Sequence, residues 1–159
     1  MIYVTIGTLD YPFGRLMKGI DQLSGDLKSQ MLAQIGGNTP PEGVRTIPFC
    51  SRTESMIYIK EAELVLTHGG STVMEALIEG KRIVAVPRMK RHGEALNDHQ
   101  VDLCVKLSER GLLTTVLDVD DLGRAIKQAL GTSPPKLSPG RLPLEVTNIL
   151  DDMCKGTSK

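Results

Sequence analysis

The sequence has no tryptophan, only two phenylalanines and three tyrosines, and equal numbers of acidic and basic residues. Single-stranded nucleic acids are commonly bound on aromatic side chains that stack against the bases, and this chain offers few of them. Its formal net charge of zero also lacks the basic excess that is typical of a nucleic-acid binder. We therefore expect no nucleic acid among the partners of this protein.

Cysteine is also scarce, and no long apolar run is present. Cys50, Cys104 and Cys154 lie far apart without a CxxC pair, which predicts reduced thiols rather than a disulfide framework or a zinc site. No apolar run approaches the roughly 20 residues of a membrane span, and the apolar start MIYVTIG is too short for a signal peptide. We expect a cytoplasmic protein, which a partner can still hold at a membrane.

Short β-rich runs alternate with longer helical patterns along the chain. Strands are predicted at residues 2–7, 30–36, 44–49, 63–68, 82–87 and 112–117, and helices at 13–23, 52–62, 71–80, 97–111 and 118–131. This alternation predicts one α/β domain, a doubly wound parallel sheet of about six strands. Such sheets bind ligands at the carboxyl ends of their strands. The loops after Ile6, Phe49, His68 and Pro87 are therefore where a site is expected.

The composition changes after residue 131. Residues 132–143 are rich in proline, serine and glycine, which predicts a linker between a domain at 1–131 and a tail within 132–159. Residues 144–153 have the pattern of a short amphipathic helix with Val146, Ile149, Leu150 and Met153 on one face. This helix either folds back on the domain or docks on a partner.

The run His-Gly-Gly-Ser-Thr at residues 68–72 is the most informative motif. Gly69 and Gly70 permit a close approach of the backbone, and a helix that starts near Ser71 offers free amides to an anion. Thr72 adds a hydroxyl, and Glu75 lies one turn further on, where a carboxylate accepts hydroxyls of a sugar. A diphosphate at the turn and a ribose at the glutamate form a nucleotide site. The alternative is a capping box of Thr72 and Glu75, which does not require the two glycines.

A second group of candidates follows the predicted strand at 82–87. Arg88 and the basic residues at 90–92 either neutralise phosphates, meet anionic lipid headgroups or form a solvated loop. A helix is predicted to open with Asn97, His99 and Gln100, whose side chains could face a sugar. The alternative is capping of this helix, which explains Asn97 and Gln100 but not His99.

Three further motifs are weaker. The Gly7–Thr8 turn presents backbone amides or is a plain turn, and the backbone of Phe49 and Cys50 is placed to meet the edge of a base. The acidic run at 118–121 is expected to cap a helix and not to bind a metal.

The segments HGGSTVMEALIEGKRIVAVP, NDHQ and LSERG, after an N-terminal YVTIGT, together resemble the donor-binding C-terminal domain of family 28 glycosyltransferases. The resemblance covers roughly residues 1–130 and is closest to the one-domain members, which are catalytic subunits of split transferases. It implies a Rossmann-like half of a GT-B fold that uses a UDP-sugar as donor, without a metal or another cofactor.

The resemblance also implies roles for residues of this chain. Gly69, Gly70, Ser71 and Thr72 would contact the diphosphate and Glu75 the ribose. Asn97, His99 and Gln100 would lie near the sugar. The Phe49–Cys50 backbone would lie near the uracil, and Thr8 would border the cleft. His68 and His99 are candidates for catalysis by their chemistry, although each is equally explained as a packed or phosphate-contacting residue.

The implied reaction transfers a sugar to a polyprenyl-diphosphate-linked acceptor. A membrane-anchored partner subunit would supply the acceptor half and hold the chain peripherally at the cytoplasmic face of the membrane. Two alternatives remain open at this point, a UDP-sugar 2-epimerase-like enzyme and a non-catalytic subunit that binds the nucleotide sugar.

Overall fold

The protein folds around one parallel β-sheet. The structure, a computed structural model, describes residues 1–7 and 11–135. In this part of the chain the sheet has the strand order β3-β2-β1-β4-β5-β6, and every neighbouring pair is parallel. The strands are β1 (Ile2–Thr5), β2 (Met31–Gln34), β3 (Arg45–Ile47), β4 (Leu64–Thr67), β5 (Arg82–Ala85) and β6 (Thr114–Thr115). The prediction of a doubly wound α/β fold is confirmed.

Helices cover both faces of this sheet. They are α1 (Gly14–Asp21), α2 (Gly25–Ser29), α3 (Arg52–Glu61), α4 (Thr72–Ile78), α5 (His99–Glu109) and α6 (Leu122–Gly131). One apolar cluster joins alternate strand residues to α1 and α6, and the other joins the opposite strand residues to α3, α4 and α5. Because side chains alternate between the two faces of a strand, strands covered on both faces are mostly apolar, as β1, β2 and β4 are up to their last residue.

The elements are mostly shorter than the predicted ones, and two differences are the largest. The strand predicted at 112–117 is reduced to Thr114–Thr115, because this edge strand pairs only with Val84 and Ala85 of β5. Helix α2 was not predicted, since it has five residues and buries only Leu27, too few for a helical period to show. The predicted linker from residue 136 onward and the tail helix at 144–153 lie outside the described residues.

The described helices include none that is long and apolar enough to cross a membrane. Two cysteines are free thiols, a half-buried Cys50 and a buried Cys104, and Cys154 lies outside the described residues. The first two agree with the prediction of reduced thiols.

The chain order reverses between β1 and β4, which are neighbours at the centre of the sheet. At such a switch point the loops after the two strands diverge to opposite faces and leave a crevice. The loops that follow β1, β4 and β5 therefore define the edge at which a ligand is expected.

Candidate functional site

His68 lies at the centre of this edge, directly after β4, and is only 7% exposed. Its imidazole lies between two glycines. A Cβ atom on Gly7 would lie 2.7 Å from His68 Cε1, and a Cβ atom on Gly70 would lie 2.5 Å from His68 Nε2. Both positions therefore exclude any side chain.

The buried position also sets the charge of this histidine. Burial, and secondly the positive charge of Arg88, lower the pKa of His68 to about 4. The imidazole is therefore neutral near pH 7 and is a weak base. If His68 acts in catalysis, it acts as a neutral hydrogen-bonding group.

We expect Gly70→Ala to destabilise the fold by about 2 kcal/mol, because the methyl group overlaps a ring that has no room to move. Urea denaturation of the wild type and the variant measures this loss. In a His68→Ala background, Gly70→Ala should lower the free energy of unfolding much less than it does in the wild type, since the ring that meets the methyl group is gone. Equal costs of Gly70→Ala with and without His68 would show that the close contact is not what constrains this position.

Gly69 has a different neighbour. Its backbone has a φ of +88°, and a Cβ atom would lie 2.6 Å from the Sγ atom of Cys104 and 3.7 Å from Cβ of Gln100. The first turns of α5 therefore lie directly against the turn after β4. The two glycines thus have packing reasons that the sequence did not reveal, and they do not by themselves indicate a bound phosphate.

Helix α4 begins at Thr72, and its start decides between the two explanations of Glu75. The N-cap residue Ser71 makes no side-chain capping hydrogen bond, and the carboxylate of Glu75 does not return to the backbone of the turn. Glu75 Oε1 instead lies 3.3 Å from Nε of Arg52, at the start of α3. The alternative of a capping box at this helix is wrong, and the carboxylate is held by a single, largely exposed arginine.

The start of α5 differs from its predicted form. The helix begins at His99, its N-cap residue is Asp98, and the predicted capping box of Asn97 and Gln100 is absent. Asn97 Oδ1 accepts a hydrogen bond from the His99 amide at 3.3 Å. The side chains of Asn97 and His99 are exposed, whereas Gln100 is half-buried and lies beside Gly69.

Arg88 is buried, so the explanation of a solvated loop is wrong for this residue. Its side chain is 2% exposed, and its guanidinium donates hydrogen bonds to the carbonyl oxygens of Ile6, Tyr11 and Pro12 at 3.1–3.3 Å. The guanidinium carbon also lies 4.5 Å from the centre of the Phe13 ring. Arg88 therefore organises the loop between β1 and α1.

Sequence reasoning missed an ion pair beside Arg88. Arg15 of α1 binds both carboxylate oxygens of Glu94, at 2.8 and 3.0 Å, and the Glu94 side chain is almost fully buried. The same carboxylate accepts a hydrogen bond from the Met89 amide at 3.0 Å. The two partners are 79 positions apart in the sequence, so no local pattern indicates the pair.

The weaker candidates lie around the same edge. Phe49 follows β3 and is 60% exposed, and Cys50 Sγ lies 3.5 Å from the hydroxyl of Tyr3. Thr8 lies outside the described residues.

Among the described residues, no group of acidic, histidine or cysteine side chains could hold a metal ion. In the acidic run at 118–121, Asp118 accepts a hydrogen bond from the Asp120 amide, as expected of a cap.

Unpaired polar atoms mark this edge of the sheet. Within residues 1–7 and 11–135, the buried side-chain atoms without a hydrogen-bond partner are Thr67 Oγ1, His68 Nδ1, Arg88 Nε and Gln100 Oε1. Buried polar atoms are normally paired, so unpaired ones need a reason. They lie at the end of β4, directly after β4 and β5, and at the start of α5, which is the edge at which a ligand is expected.

The amino-acid sequence matches a known protein family. The model of the glycosyltransferase family 28 C-terminal domain matches residues 1–138. A comparison with curated protein sequences gave no match.

Solved structures of glycosyltransferases share the fold. The kitacinnamycin glycotransferase is similar with a TM-score of 0.61 and 15% identity, over 93% of this chain and 37% of that one. The glycosyltransferase SnogD from Streptomyces nogalater has a TM-score of 0.59 and 18% identity, over 96% and 40%. The spinosyn forosaminyltransferase SpnP has a TM-score of 0.57 and 14% identity, over 94% and 39%. The chain spans about two fifths of the length of these proteins.

Proposed function

Since the chain belongs to glycosyltransferase family 28, by its C-terminal domain, we propose that it binds the sugar donor, a UDP-sugar, in a glycosyl transfer reaction. The observation that supports this most directly is the arrangement after β4. The turn at residues 68–72 leads into α4, and Glu75 follows one turn later with a carboxylate that serves no cap. The start of α5 packs against Gly69 of this turn through Gln100 and Cys104.

In this proposal the turn after β4 holds the diphosphate. The Val73 and Met74 amides donate the first hydrogen bonds of α4, to the carbonyls of Gly70 and Ser71, so the amides that precede them are not used by the helix. Such amides, with the Ser71 and Thr72 hydroxyls, stabilise the negative charge that develops on the leaving UDP. This is electrostatic catalysis and requires no metal ion.

Glu75 is proposed to bind the ribose. Its side chain is 21% exposed, and within the described part of the chain its carboxylate forms an ion pair with Arg52 alone, a side chain that is 85% exposed. An exposed ion pair of this kind contributes little free energy, so a ligand that offers two hydroxyls displaces it at small cost. The exposed residues Phe49, Asn97 and His99 are proposed to border the base and the sugar.

The acceptor half of the enzyme is proposed to come from a second subunit. The support for this is the resemblance of residues 1–130 to the one-domain members of the family, in which a partner subunit supplies the acceptor half. We propose that a membrane-associated partner supplies this half and presents a polyprenyl-diphosphate-linked acceptor.

Calorimetric titration of UDP into the purified chain tests the donor site, with ADP as a matched nucleotide that differs in the base. We expect saturable binding of UDP and weaker binding of ADP. Equal binding of both nucleotides would contradict a uridine site. If UDP fails to bind even when the acceptor subunit is present, the proposed donor is wrong.

A further inference from the structure

The loop between β5 and α5 presents an unusual set of side chains to solvent. Lys90, Arg91 and His92 form one turn of 3₁₀-helix in which no residue is buried. Four residues later, Leu96 is 80% exposed, the most exposed large apolar side chain in the described part of the chain. Basic residues beside a protruding leucine are a combination that suits an anionic bilayer surface.

This loop is held in place at its base. Glu94 is buried in its bidentate pair with Arg15 and also accepts the Met89 amide at 3.0 Å. Asp98 accepts the Lys90 amide at 2.8 Å. These bonds fix both ends of the exposed turn, so its cations and Leu96 are presented outward by a fixed backbone.

The charges around the loop favour an anionic partner. Of the two acidic residues within it, Glu94 is paired with Arg15, and Asp98 is bound to a backbone amide of the loop. Lys18 of α1 lines the same cavity as His92 and is exposed, while Asp120 is the acidic residue of that cavity besides Glu94. The cavity thus has one acidic side chain, Asp120, besides the paired Glu94, and Lys90 and Arg91, which precede His92 in the chain, are exposed.

We propose that Lys18, Lys90, Arg91 and Leu96 form a membrane-contact surface, which binds anionic lipid headgroups directly. Each Lys or Arg close to such a surface strengthens partitioning about fivefold, and an inserted leucine adds roughly tenfold. Together they favour the bilayer by about a thousandfold, which is weak and reversible binding that a second anchor would complete. This surface goes beyond the proposed function, in which the membrane is reached through a partner, and it does not depend on the identity of the donor.

The location of the surface has a consequence for the reaction. The loop follows the carboxyl end of β5, at the same edge of the sheet as the turn at 68–72. A membrane contact here turns the proposed donor site toward the headgroup layer, in which the diphosphate of a lipid-linked acceptor lies.

Sedimentation of the full chain with sucrose-loaded vesicles tests the proposal. Vesicles of phosphatidylcholine mixed with anionic phosphatidylglycerol are compared with vesicles of pure phosphatidylcholine at low salt. We expect binding to the anionic vesicles only, weakened about 30-fold by Lys90→Gln/Arg91→Gln and about tenfold by Leu96→Ser. The matched control Arg124→Gln/Lys127→Gln removes two exposed charges from α6 and should bind like the wild type.

Three outcomes would overturn the proposal. The first is no sedimentation of the wild type with anionic vesicles, and the second is an equal loss in the α6 control, which would indicate a nonspecific charge effect. The third is that Lys90→Gln/Arg91→Gln keeps vesicle binding but loses UDP binding, which would assign the loop to the donor site. UDP titration of the same proteins tests the proposed function separately. Vesicle binding by the wild type does not require a uridine site, so either proposal can fail while the other holds.

Discussion

Glu75→Ala is expected to weaken UDP binding by about 10- to 100-fold while leaving the fold intact. A hydrogen bond to a charged group contributes roughly 1.5–3 kcal/mol, and the proposed ribose contact is of this kind. Since the Glu75 side chain caps no helix and its ion partner Arg52 is largely exposed, the free energy of unfolding should change by less than about 1 kcal/mol. Calorimetric titration with UDP measures the first effect, and urea denaturation the second.

Two control variants make this result specific. Glu79→Ala removes a second carboxylate at the end of the same helix, one that pairs with Lys60 at 3.8 Å, and should bind UDP like the wild type. Arg52→Gln removes the ion pair but keeps Glu75, and should leave affinity unchanged or slightly higher. If Glu75→Ala binds UDP normally, the ribose contact lies elsewhere; if it unfolds, Glu75 has a structural role that its contacts do not show.

The edge of the sheet where the site lies could be predicted from the sequence, because it follows from periodicity. Apolar runs such as residues 63–68 and 82–87 indicate strands buried on both faces, and the helical patterns between them make the sheet parallel. The carboxyl ends of parallel strands then lie at one edge, whatever the side chains there do. For this reason the sequence predicts one site for the turn at 68–72 and Gln100, which are remote in sequence, and the structure brings them together at Gly69.

The contacts of individual charged residues at this edge could not be predicted. Arginine is rarely buried, so a basic loop favours exposure for Arg88, and its burial depends on carbonyl oxygens of Ile6, Tyr11 and Pro12 that lie more than 70 positions away. The glycines of the turn show the same limit. Gly70 is required by the ring of His68 and Gly69 by the thiol of Cys104, and both neighbours are set by tertiary packing.

These corrections change which residues the proposed donor site depends on. A pair of glycines that packing explains carries less weight as a phosphate motif, whereas a carboxylate that no cap explains carries more. Glu75 and the unpaired polar atoms at this edge of the sheet therefore support a nucleotide site more strongly than the glycines do.

Arg88→Met is expected to cost about 3–5 kcal/mol of the free energy of unfolding, because it removes a buried charge on which several groups depend. Three backbone carbonyls would lose their donor, the Phe13 ring would lose the nearer of its two cations, and the Arg15–Glu94 pair would lose a neighbouring positive charge. Methionine keeps much of the apolar length of the side chain, so the lost free energy of unfolding is that of the guanidinium contacts. Urea denaturation measures this free energy.

Arg91→Met is the matched control, since Arg91 lies in the same loop with an exposed side chain and should change the free energy of unfolding by less than about 0.5 kcal/mol. Arg88→Lys should recover only part of the loss, because an ammonium cannot reach carbonyls on both sides as a planar guanidinium does.

UDP affinity, measured on whatever fraction of Arg88→Met is folded, distinguishes the two roles of this arginine. If Arg88 acts by holding the loop between β1 and α1, stability falls and the folded fraction keeps most of its affinity. If stability is unchanged and affinity collapses, the guanidinium leaves its carbonyls to bind the donor phosphates, and the buried arrangement belongs to the unliganded protein alone.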